Sequence, residues 1–192
     1  MSARRLLRVV AGAATIAALG ACAMFPAQPD VADFDVAAAV VLIRAAGSAN
    51  TAELDVQPLR NPEVEDLREQ AQQRQQRGDH GGAAALLDQA IALHPDDPML
   101  LQERAEAALL LRDLAGAETT ARRAWQIGTR VGPLCRRHWE TVVQIAQARR
   151  DAELAMATRH RSAQPVDGGA RVALDEARRQ RDACTVNAPP RY

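Results

Sequence analysis

The sequence has no lysine: all 24 of its basic residues are arginine, and 24 acidic residues balance them. No function follows from the arginine bias, but the balance of charge argues against one. Nucleic-acid binding needs a basic stripe that displaces counterions from phosphates, and a chain of zero formal net charge has no excess to build one. Aromatic residues are also scarce, at 3%, while hydrophobic residues reach 47% and alanine dominates them. Sheets favour β-branched and aromatic side chains, whereas alanine is the best helix former and lets helices approach closely. The composition therefore points to an all-α fold. A length of 192 residues suggests one domain with an extension. The N-terminal apolar run, Val9 to Leu19, has 11 residues, too few for a bilayer-spanning helix, which needs about 20.

What that run does fit is the central part of an export signal. Arg4, Arg5 and Arg8 precede it, and small residues follow it at Leu19-Gly20-Ala21-Cys22. This junction resembles the lipobox of bacterial lipoproteins, in which a thiol accepts diacylglycerol and small neighbours admit a membrane-embedded peptidase. The resemblance implies a signal peptide over 1–21, with Cys22 as the acylated N-terminus. Several acyl chains make such an anchor effectively permanent, since each buried methylene contributes ~0.8 kcal/mol. Ala23 after the cysteine, by the enterobacterial sorting rule, implies the outer membrane with the chain facing the periplasm. Cleavage removes three arginines and no acid, so the mature chain carries −3 and is again a poor ligand for nucleic acid.

Residues 22–60 read as a lipidated tether, marked by Pro26, Pro29, Gly47, Asn50 and Pro58. Inside it, residues 35–46 are apolar and stop at Gly47; Val-Val-Leu-Ile at their centre leaves a short helix or a strand open. From residue 61 onward the chain repeats itself. Arg77-Gly-Asp-His-Gly-Gly-Ala83 returns 34 residues later as Leu111-Arg-Asp-Leu-Ala-Gly-Ala117, with Leu67 on Leu101, Ala71 on Ala105 and Ala90 on Ala124. The period and its small residues resemble the tetratricopeptide repeat, a pair of antiparallel helices. Cap-type residues before proline at Asn61-Pro62, Asp97-Pro98 and Gly132-Pro133 agree with it. The expected fold is a short all-α solenoid of about three tetratricopeptide-type hairpins over 61–184, with a C-terminal capping helix and a tail at 185–192. Helices are expected at 62–77, 80–94, 98–112, 115–129, 133–149, 152–162 and 170–183. The third unit repeats its turn at Arg150-Asp151-Ala152, but 38 residues after Asp113, which sets Ala155 at a helix crossing.

No nucleophile–base arrangement, glycine-rich phosphate loop or paired metal motif is visible, so the chain is not expected to be an enzyme or to hold a cofactor. Paired acids such as Asp96 and Asp97 belong to a helix start. Three cysteines are present. If lipid takes Cys22, then Cys135 and Cys184 remain in an oxidising compartment, where a disulfide is expected. Cys135, His138 and Cys184 would otherwise give a metal only three ligands. Stacked helix pairs offer a concave groove lined by the first helix of each pair. By repeat position that lining is Arg68, Gln72 and Gln75, followed by Gln102, Glu106 and Leu109. A protein or peptide partner is the expected ligand; self-association of a structural envelope lipoprotein is the other reading.

Overall fold

The structure, a computed structural model, describes residues 31–48, 61–160 and 169–185. The signal peptide, Cys22, most of the tether and nearly all of the C-terminal tail lie outside the described residues. Those described form seven helices and no strand: α1 (Val36–Ala46), α2 (Pro62–Gln76), α3 (His80–Leu93), α4 (Pro98–Leu110), α5 (Leu114–Ile127), α6 (Pro133–His160) and α7 (Gly169–Ala183). Each helix from α2 onward packs on the next in chain order, while α1 crosses back to α4 and α6.

The 34-residue offset has a backbone cause. α2 and α4 both end on a left-handed residue, Gly78 (φ 80°) and Arg112 (φ 62°), 34 positions apart. Glycine takes this conformation freely and arginine does not. The next residues, Asp79 and Asp113, then start α3 and α5 by accepting from the Gly82 and Gly116 amides at 2.8 and 2.9 Å. A Cβ at either glycine would stand 2.3 or 2.1 Å from the capping carboxylate as it is placed, so glycine lets the carboxylate keep this position and a larger residue would make it turn. Three-residue turns of this kind fold α3 back on α2 and α5 back on α4. Ala71, Ala83, Ala90, Ala105, Ala117 and Ala124 are all buried where the helices meet, which is why the repeat keeps them small.

The third unit departs from expectation. α6 is one continuous helix of 28 residues, with no break between the helices expected at 133–149 and 152–162. Arg150-Asp151-Ala152 contains no glycine, and the Asp151 carboxylate accepts from Gln147 at 2.8 and 2.9 Å, not from a new helix start. With helix-forming Ala, Glu, Leu and Met beyond it, nothing stops the helix. Ala155 is accordingly exposed and marks no crossing. Hairpin geometry is supplied instead by α7, whose Leu174 and Ala177 pack on Trp139, Val142, Val143 and Ala146 of α6.

Residues 35–46 form a helix capped by the Asp35 side chain on the Ala38 amide (2.9 Å) and ended at Gly47. Val40 and Ile43 enter a core with Ala108, Leu109, Leu114, Ala117 and Ile145. Arginines fasten both ends. Arg112 donates to the carbonyls of Val31, Ala32 and Phe34 (2.8–3.3 Å), and Arg136 donates to those of Ala46 and Ser48 (3.1 and 3.3 Å). The strained left-handed position of Arg112 thus carries a clamp that the glycine of the first repeat lacks.

Candidate binding groove

α2 leaves an open groove of about 370 Å³ beside α4, closed at its far side by Arg44 of α1 and Arg137 of α6. Its rim on α2 is polar, with Glu65, Arg68, Glu69, Gln72 and Gln75 one or two turns apart, and its floor is Ala71 with Leu87 of α3. Positions three and four apart share a helix face, so one stripe of α2 supplies half the site.

The charges are mostly spent internally. Arg68 donates to both oxygens of Glu65 (2.7 and 2.9 Å) and, through Nε, to Glu103 of α4 (2.9 Å); a second bond joins it to Glu103. The Glu103 hydrogen bond, against the opposing effect of burial, pushes the guanidinium further toward the charged form. Glu106, one turn deeper on α4, is 1% exposed. Burial pushes its carboxyl up, but Arg137 (2.6 Å), the Gln102 amide (2.9 Å) and Arg44 (2.9 Å) together hold it below the usual carboxylate range. Glu69 and Gln72 stand exposed on the rim.

Beneath the groove the polar network continues. The Gln102 amide nitrogen donates to Glu106 and to Thr141 Oγ1 (3.0 Å), so its oxygen is left to accept from His138 Nδ1 at 2.8 Å. This assigns the proton of His138 to Nδ1 and leaves Nε2 buried without a hydrogen bond. Burial first, and the neighbouring Arg137 second, depress the pKa of His138 to about 3. The imidazole is neutral at physiological pH.

The expected groove residues therefore split. Arg68, Gln72 and Gln75 line the opening. Gln102, Glu106 and Leu109 do not face an open groove: they are 0%, 1% and 0% exposed. α1 and α6 cover them, because the apolar face of α1 occupies the surface that the second repeat would otherwise present. Position in the repeat could not supply Arg44 or Arg137, which come from outside the two repeats. Glu65 and Glu69 were within reach, as i−3 and i+1 neighbours of Arg68 on an otherwise glutamine-rich face. Glu103 follows from the same 34-residue logic, one position after Gln102.

Cys135 and Cys184 are joined in a disulfide with Cα atoms 5.7 Å apart, pinning the end of α7 to the first turn of α6. The Gly132 amide donates to the Cys184 carbonyl at 2.7 Å beside it. With both sulfurs in one bond, the arrangement with His138 offers no thiolate to a metal. Trp139 packs on this cluster and meets Trp125 edge to face at 5.1 Å. Among the described residues no group of three or more His, Cys, Asp or Glu is gathered as a metal ion requires, and no described helix is long and apolar enough to cross a membrane.

No family model and no curated protein matches the chain. Among solved structures, the globular C-terminal domain of LpoP from P. aeruginosa is similar to it. The two are 28% identical with a TM-score of 0.49, over 62% of this chain and 99% of that domain.

Proposed function

We propose that the chain is a lipid-anchored protein-interaction module of the bacterial envelope, which takes a segment of a partner protein into the groove beside α2. The observation that carries this reading is the groove itself. Its apolar floor at Ala71 and Leu87 under a rim of amide and carboxylate groups suits a peptide, whose backbone needs hydrogen-bonding partners and whose side chains need apolar contact. The paired left-handed turns and Asp caps 34 residues apart support tetratricopeptide-type hairpins as the scaffold. The lipobox-like Leu19-Gly20-Ala21-Cys22 supports acylation of Cys22, and Ala23 favours the outer membrane facing the periplasm. On this reading the protein recruits or positions its partner and catalyses nothing, with no cofactor and no nucleic acid involved.

Two experiments test it. Cys22→Ser should abolish fatty-acid labelling in a native host; a wild-type chain that takes up no label would end the anchor reading. Proteins retained from envelope extract by the wild type should be lost to the charge-reversing variant Glu69→Arg and reduced by Gln72→Ala, at unchanged melting temperature. Retention of the same proteins by all three would move the binding site away from the groove.

A further inference from the structure

α1 has no polar side chain on its outward face. Its inner side, Ala39, Val40 and Ile43, is buried against the domain. Outward stand Ala37, Ala38, Val41, Leu42 and Ala45, all exposed, with Val41 66% and Leu42 52% open. At 3.6 residues per turn these five fall on one continuous arc opposite the buried side. A surface helix ordinarily turns charged or polar residues to water, and one that is apolar all round is covered on every side. Every other described helix follows that rule: α7 shows Arg171, Glu176, Arg178 and Arg179, and α3 shows Asp88 and Gln89. The only charge within α1 is Arg44, which reaches inward to Glu106.

We propose that this outward face of α1 rests on the lipid surface to which the chain is anchored; the proposal depends on the reading of Cys22 as acylated. The argument for lipid over another occupant is the length of chain between the two. Asp35, the cap of α1, lies 13 residues beyond Cys22, and an extended chain spans at most ~3.5 Å per residue, so α1 stays within about 45 Å of the bilayer surface. A tether this short raises the effective concentration of the helix at that surface, so that a contact too weak to recruit a free protein suffices to orient an anchored one. A short helix lying in the interface plane with its apolar side in the acyl boundary is a known way for polypeptide to meet a bilayer. Asp33 and Asp35 stand before the helix, and no acid interrupts it from Val36 to Ala46. α1 is thus held on its inner side by α4 and α6 and on its outer side by lipid, fixing the domain's orientation on the membrane.

The test uses the mature acylated protein, from Cys22 onward, in vesicles of phosphatidylethanolamine and phosphatidylglycerol with brominated acyl chains. Leu42→Trp places a fluorophore on the face in question. Leu93→Trp, on the exposed surface of α3, is the control, and native Trp125 and Trp139 give a constant background. The emission added by Leu42→Trp should be blue-shifted and quenched by the bromines, and that added by Leu93→Trp should not. Val41→Trp should repeat the result. Absence of acyl mass on Cys22 in the same preparation would overturn the anchor and the proposal together. An acylated Cys22 with Leu42→Trp as unquenched as the control would overturn the proposal alone. A blue shift without quenching, accompanied by a concentration-dependent mass, would do the same and assign the face to a second copy of the chain.

Discussion

Glu106→Ala is the substitution that most sharply tests how α1 is held. The wild-type carboxylate is 1% exposed and bonded to Arg137, Arg44 and Gln102. Its removal leaves the Arg137 side chain, 18% exposed, without its partner. Taking one member from a buried pair costs ~3–5 kcal/mol; the water that still reaches Arg44, 50% exposed, puts the loss near the lower end, about 3 kcal/mol. Arg44→Ala differs in kind. Glu106 keeps Arg137 and Gln102, and a half-exposed ion pair contributes only ~1 kcal/mol or less. At ~2–4 °C per kcal/mol for a domain of this size, the expected drops in Tm are about 6–12 °C and about 2–4 °C. Urea titrations followed by helical circular dichroism, at neutral pH and in chains lacking residues 1–22, give both values. The double variant then yields the coupling between Arg44 and Glu106 directly. Amide exchange should quicken within α1 in Glu106→Ala, since the helix loses the tie from Arg44 to α4. Equal, small losses from the two single variants would refute the argument, because they would mean that removing Glu106 strands no buried charge on Arg137.

Three further outcomes are expected. Burial holds His138 neutral down to about pH 3, while the unfolded chain binds that proton from about pH 6.5. Stability is therefore full above pH 6.5 and falls toward pH 3, with a slope of up to ~1.4 kcal/mol per pH unit; His138→Gln should flatten urea midpoints measured between pH 5 and 7. Reduction of the disulfide frees a loop with a separation of 49 residues, worth about 4 kcal/mol in the chain-entropy model, and proteolysis and amide exchange in α7 should accelerate before those in α2 to α5. Ala83→Leu or Ala117→Leu, at crossings with no exposed surface, should lower stability by ~1–3 kcal/mol through overpacking, and Gln102→Ala should do so by breaking three buried hydrogen bonds. Exposed Gln72→Ala should leave the melting curve in place.

The two complete repeats were legible because their determinants are local. A left-handed turn, an Asp cap and a glycine at the third helical position recur at a fixed offset; the cap and the glycine keep their residue type, while the left-handed position is glycine once and arginine once. α6 was misread for the reason that this logic was extended to Arg150-Asp151: the letters resemble the turn, but without a left-handed residue the aspartate merely bonds along its own helix. The groove was half legible. Arg68, Gln72 and Gln75 face where repeat position puts them, whereas Gln102, Glu106 and Leu109 lie under α6 and α1, and the docking of α1 depends on residues 60–90 positions away. No periodicity carries that information. A buried glutamate one turn from a buried glutamine is a weak sign of it, since such groups require partners from somewhere.

The clamp on α1 also sets the order in which the protein can be assembled. α2 to α5 gain their contacts from neighbours in sequence, and such contacts form early because little chain entropy is spent in closing them. α1 is the first described helix to be synthesised, yet its partners lie far along the chain: Glu106 is 62 residues from Arg44, Arg112 is 80 from Ala32, and Arg136 is 90 from Ala46. It must therefore wait, apolar and unaccompanied, until most of α6 exists. That makes α1 the segment most in need of shielding during synthesis and export.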